Sequence, residues 1–287
     1  MFKYLAFALT GMLLLSGCSL QKIALRSTTG LLFYGIDAIY QEPDMDIAEQ
    51  AISSDLKLLD GLYLADTGNK DVMLMLTQGY ASYSLGFIED ESVSRAQMFY
   101  LRARDYGFKL LKTTDAFRDS IPINEDLFIK KLSQLNKKDV PAIFWTAFAW
   151  GGWINLSKDN PRAIFDLGKV KAMMNRVQKL DEGYFFGASH LFFGGIYGAL
   201  PKMLGGNPDK AKEEFDRTLQ ISDGRFMLAY VYMARYYAQP TLDEQLFDKY
   251  LNTVLAAPAD VLPGYELITS IAKAKARQLL SEKEELF

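Results

Sequence analysis

Cysteine and histidine are almost absent from this chain, with one of each, Cys18 and His190, in 287 residues. A single cysteine excludes an internal disulfide framework and a cysteine-built metal site, and a single histidine excludes a two-histidine one. The folded part must therefore hold without covalent staples. Runs of like charge are missing as well. Lysine and arginine alternate with acids, the formal net charge is −3, and no basic block suits nucleic acid as a partner. No credible pair of alternating strands occurs. Beyond the first residues, no apolar run is long enough to span a bilayer core of about 30 Å.

What is present begins with Lys3, an apolar run from Leu5 to Leu15, and then Ser16, Gly17 and Cys18. This is the pattern of a signal peptide, too short for a spanning anchor. Leu15-Ser16-Gly17-Cys18 resembles the lipobox of bacterial lipoproteins, in which the cysteine becomes the lipidated first residue of the mature chain. Several acyl chains hold a protein firmly at a membrane. Ser19, in place of Asp, resembles an outer-membrane sorting signal, so the expected site is the periplasm, anchored to the outer rather than the inner membrane. The organisation read from this is a signal peptide over 1–17, a lipidated tether over 18–29 and a helical domain over 30–287. With 49% hydrophobic residues, that domain can bury a large core.

From Gly30 onward the apolar spacing is helical. It predicts helices over 30–40, 47–65, 71–86, 94–112, 124–135, 139–156, 161–180, 225–238, 242–255 and from 264 onward, the last one fraying beyond Ser281. The segment from Asp181 to Ser222 reads as a helical hairpin divided at Gly205-Gly206, with Asn207-Pro208 starting its second helix. In its first helix, apolar all round, Phe186, His190, Phe193 and Tyr197 form one stripe; Phe185, Phe192 and Ile196 form another. Gly194, Gly195 and Gly198 would together cost roughly 3 kcal/mol there unless a helix or ligand needs the close approach.

Helices in pairs suggest a repeat. Ala96, Tyr100 and Ala103 superpose on Ala211, Phe215 and Thr218, and more loosely on Val170, Met174 and Val177. The helices before them carry Leu76-Thr77 with Tyr80, Phe148-Ala149 with Gly152, and Phe193-Gly194 with Tyr197. The pattern resembles degenerate tetratricopeptide repeats, hence an all-α fold of helical hairpins stacked as an α-α superhelix. Ala81-Ser82-Tyr83, Trp145 to Leu156 with Asp159, and Gly194 to Phe215 carry a closer likeness. Through them the chain is similar to the T component associated with TRAP transporters, a family of lipoproteins built from cryptic repeats. The resemblance implies a periplasmic helical protein that partners a TRAP substrate-binding protein. It further implies a homo-oligomer, with a trimer as one form, and an apolar channel able to admit a hydrophobic small ligand.

Trp145, Trp150 and Trp153 cluster on one predicted helix with Phe144, Phe148, Gly151 and Gly152. They are read either as packed core or, with Phe186, His190, Phe193 and Tyr197, as the lining of a ligand cavity. No catalytic residue and no cofactor or metal site is expected, because a lone histidine on an aromatic helix lacks a partner for either. Gly205-Gly206-Asn207-Pro208-Asp209-Lys210 lacks the spacing of a phosphate loop. The expected role is thus a non-enzymatic accessory to binding-protein-dependent uptake. The competing reading is a repeat scaffold in cell-envelope assembly.

Overall fold

Helix-start chemistry sets the order of elements in the computed structural model, which describes residues 22, 23, 25–27 and 29–287. Cys18 and the expected leader and lipobox lie outside the described residues. Helix α1 (residues 29–40) is followed by Asp44, whose side chain accepts from the backbone of Asp46 at 2.9 Å and Ile47 at 3.0 Å and so opens α2 (Met45–Ala65). Asn69 caps α3 (Lys70–Tyr83), and α4 (Val93–Leu111) follows. Asn124 caps the short α5 (Glu125–Leu132), which precedes α6 (Val140–Asn155). Asn160 with Pro161 starts α7 (Pro161–Asp181), followed by α8 (Ala188–Ala199). Asn207 with Pro208 starts α9 (Pro208–Ile221), as the sequence predicts, and α10 (Met227–Met233) comes next. Asp243 caps α11 (Glu244–Ala256), and α12 (Glu266–Ser281) and α13 (Lys283–Leu286) complete the chain. Among the described residues there is no strand, and the fold is all-α.

The helices associate mainly with their sequence neighbours. The pairs α3–α4, α6–α7, α8–α9 and α10–α11 pack internally, and α4 packs on α6. Short connections make such pairs antiparallel. The nine positions aligned in the sequence, from Ala96 through Val177 to Thr218, are all buried to within 1%. Small residues admit large ones at the joins. A Cβ on Gly152 would stand 2.6 Å from the Tyr100 ring, and one on Gly194 would stand 2.5 Å from the Phe215 ring. Those two glycines are therefore dictated by helix packing.

The run of pairs bends back on itself. Helix α12 packs against α2 as well as against α10 and α11, and Ser270 Oγ donates to the Pro43 carbonyl at 2.8 Å. Two π-helical turns, Ser84–Ile88 after α3 and Ala234–Ala238 after α10, widen the inner ends of their helices. A single wider turn of this kind often marks a functional region.

Two expectations are corrected. Phe185 and Phe186 do not belong to α8: both adopt left-handed backbone (φ 46° and 61°), Gly187 follows at φ 74°, and the helix begins only at Ala188. Left-handed bulky residues are strained, and what holds Phe185 there is contact with six other rings, including Tyr40, Trp145 and Tyr265. Second, the C-terminus is held: Lys283 Nζ lies 2.8 Å from Asp248, and Phe287 packs edge-on to Phe247 at 5.2 Å. Ahead of residue 30, Arg26 Nε donates to the buried Asp66 at 2.7 Å.

Candidate functional site

Because the inner helices of the pairs curve around a common axis, their facing side chains enclose space. The space is a cavity of about 790 Å³, reached by α1 and α2 on one side and by α6, α8, α10 and α12 on the others. Its size and largely apolar lining are those of a small-molecule site. The aromatic wall centres on Trp145, whose ring lies 4.9 Å from Phe185, 5.1 Å from Phe144 and 5.6 Å from Phe148. Helix α8 contributes Ala188, Phe192, Gly195, Ile196 and Ala199. Gly195 faces open space, with Tyr232 and Tyr236 no closer than 3.9 Å to where a Cβ would stand. Leu31 on α1 and Leu58 on α2 line the cavity and are themselves 67% and 56% exposed, so this rim is largely apolar, with Asp55 of α2 its acidic side chain.

The residues grouped from the sequence are not brought together. Trp145 lines the cavity. Trp150 faces away from it, packed between Phe108 at 4.9 Å and Phe128 at 6.2 Å, and Trp153 lies under Arg104 at 5.6 Å. Phe186 packs behind the wall, tilted against Phe226 and edge-on to Tyr265. Phe193 is buried against Phe192 and Tyr197, and Tyr197 lines a second, smaller hollow. The stripe that faces the cavity is the neighbouring one, Phe192 and Ile196, joined by Phe185 through its left-handed turn. The reason is rotational. Phe193 and Gly194 are claimed by packing, which turns residues 192, 195, 196 and 199 inward.

His190 is a structural cross-brace. Its Nδ1 lies 2.5 Å from Glu214 Oε2 and 3.0 Å from Gln178 Nε2, while its Nε2 lies 3.1 Å from Glu182 Oε1. Both ring nitrogens are thus occupied, linking α7, α8 and α9. Glu182 also takes a fork of bonds from Arg217 at 2.7 and 2.8 Å. Those bonds, above the effect of burial and with help from His190, draw its carboxyl down to about 2.

One end of the cavity is polar. Lys275, buried on α12, reaches Glu89 at 2.9 Å and Asp90 at 2.6 Å, and Tyr100 donates to Glu89 at 2.8 Å. Lys158 and Arg235 line the same end and also the second hollow, of about 490 Å³. Sequence reading missed both. A signal was available in Arg235, a lone cation inside the apolar run from Phe226 to Ala238; Lys158, in a polar turn, offered none.

Among the described residues, no group of acids and histidine could hold a metal ion, and no helix is long and apolar enough to cross a membrane. A set of helical pairs around an apolar cavity with a polar end defines an all-helical protein with an internal space of small-molecule size. The chain belongs to the TRAP transporter T-component family, whose pattern matches residues 41–287. That membership carries an accessory role in TRAP transport. The chain is also similar to an uncharacterized protein of Treponema pallidum (strain Nichols), 23% identical over 311 aligned residues that cover 98% of this chain and 96% of the relative.

Proposed function

We propose that this chain is a periplasm-facing lipoprotein, anchored through Cys18, that docks a TRAP substrate-binding protein and holds or passes a hydrophobic small ligand. The observation that carries the reading is the aromatic-walled cavity of about 790 Å³ on the inner face of the helical pairs. An apolar space of that size is unfavourable to water and favourable to hydrocarbon. The exposed apolar rim at Leu31 and Leu58 suits transfer from a docked partner, because a ligand crossing there leaves little apolar surface wet. Tyr34 and Leu64, exposed beside that rim in sequence, favour self-association into a homo-oligomer by the same logic. Outer-membrane attachment follows from Ser19 after the lipidated cysteine.

The test is sedimentation of the soluble form, residues 1–18 removed, with each purified TRAP substrate-binding protein of the same organism. The expected result is a defined complex with one of them and not the others. Self-assembly with no binding to any would discard the docking role and favour an envelope scaffold.

A further inference from the structure

The polar end of the cavity gathers three cations, Lys158, Arg235 and Lys275, about two acids, Glu89 and Asp90, and so carries an excess of one positive charge. Lys158, in the turn after α6, and Arg235, second residue of the π turn after α10, both remain accessible to solvent there. Among the described residues neither forms an ion pair. Glu89 and Asp90 are bonded to Lys275, and Glu89 additionally to Tyr100; their charge still reaches Arg235, whereas the charge acting on Lys158 is that of Arg235. The adjoining hollow adds Lys202 as a further cation and has no acidic side chain in its lining.

Packing does not call for this charge. The second residue of the other π turn, after α3, is Leu85, which also lines the cavity. Holding the Lys158 ammonium beside Arg235 without a counter-charge of its own is costly. Burial, and then the neighbouring charge of Arg235, hold Lys158 below the ordinary lysine value. An anion placed between the two would reverse that penalty, and arginine's planar fork suits an oxyanion.

We propose that Lys158 and Arg235 bind the anionic head of a single-chain amphiphile, a carboxylate or phosphate monoester, whose hydrocarbon tail runs along Trp145, Phe148 and Phe192. The site rests on the reading of the cavity as a ligand chamber. It assigns that chamber a polarity: head at the cationic end, tail toward the apolar rim of α1 and α2. The volume matches one small ligand rather than a bulky two-chain lipid.

The experiment measures affinities of the full chain for dodecanoate, dodecyl phosphate, dodecanol and dodecyltrimethylammonium by displacement of a fluorescent hydrocarbon probe. The expected result is that at least one anion binds roughly tenfold or more tighter than dodecanol, since bonds to charged groups are worth that much. The Lys158→Gln/Arg235→Gln double variant is expected to abolish this preference while leaving dodecanol affinity unchanged. Comparison of the two anions tells carboxylate from phosphate. Equal binding of all four heads would overturn the anionic site and leave the apolar chamber standing. Preference for the ammonium head would overturn it as well. No displacement by any probe would overturn the chamber itself, and the head site with it. The comparison of heads on the unmodified chain needs no variant to fold.

Discussion

Lys275 Nζ and Glu89 Oε1 meet at 2.9 Å across 186 residues of sequence, joining the last long helix to the turn after the third. With Asp90 Oδ2 at 2.6 Å, the ammonium has two counter-charges, and burial, which alone would lower it, is outweighed by them. Breaking a buried pair from one side leaves uncompensated charge at a cost of about 3–5 kcal/mol. Lys275→Met is therefore predicted to lower the unfolding free energy measured in urea by about 3–5 kcal/mol at neutral pH. A variant as stable as the wild type would show that this contact does not hold the closure.

The same contact has an alkaline limit. The lysine is raised above 10.5 in the folded state, so its stabilisation is complete below the unfolded value and lost as pH rises through the folded one. Thermal melts between pH 9 and 12, chosen as a range of about one unit on either side of lysine's ordinary value, should show a steep fall that Lys275→Met flattens.

At the acidic end Glu182 plays the converse part. Its carboxyl is drawn from 4.5 to about 2, chiefly by Arg217 and also by His190. A depressed value gives stability that is present above the unfolded pKa and lost as pH falls through the folded one. Glu182→Gln should therefore remove part of the acid dependence of the melting temperature between pH 4.5 and about 2. Unchanged acid melts would assign the brace no net stabilisation.

Two glycines on α8 are predicted to respond oppositely to alanine. A Cβ on Gly198 would collide with the backbone carbonyl of Tyr236, which cannot move without shifting the π turn. Gly198→Ala should destabilise by about 1–3 kcal/mol, as overpacking does. Gly195 has room, and Gly195→Ala should gain about 1 kcal/mol from helix propensity. Chemical denaturation of both variants checks the pair.

Tryptophan emission should report cavity occupancy through one residue. Trp145 lines the cavity, whereas Trp150 and Trp153 pack elsewhere. A hydrocarbon-tailed ligand is expected to change the emission of the wild type, of Trp150→Phe and of Trp153→Phe, and not that of Trp145→Phe. A response that survives Trp145→Phe would place the ligand outside this chamber.

The helical class and most element starts were legible because they depend on local chemistry. Asp44, Asn69, Asn160 and Asn207 cap helices through bonds to residues two or three positions away. The repeated burial at Ala96, Tyr100 and Ala103 and at Ala211, Phe215 and Thr218 was legible for the same reason: it is helix periodicity. The cavity face of α8 was not. Which of two adjacent aromatic stripes turns inward is decided by Phe215 seating on Gly194, a contact between helices. The left-handed pair Phe185 and Phe186 was also hidden, since only the surrounding rings make that backbone tolerable. The charge balance at Arg235 was hidden too, since it depends on Lys275 arriving from α12 to bond both Glu89 and Asp90.

The meeting of α12 with α2 has one more consequence. In an open solenoid, pairs can be added or deleted at will, because each touches only its neighbours. Here α12 must land on α2, so the number of pairs is set by geometry, as the number of staves is set in a barrel. Losing or gaining one would leave a seam at Ser270 and Pro43 that no side chain spans. Length variation in such a chain is thereby confined to the turns between helices.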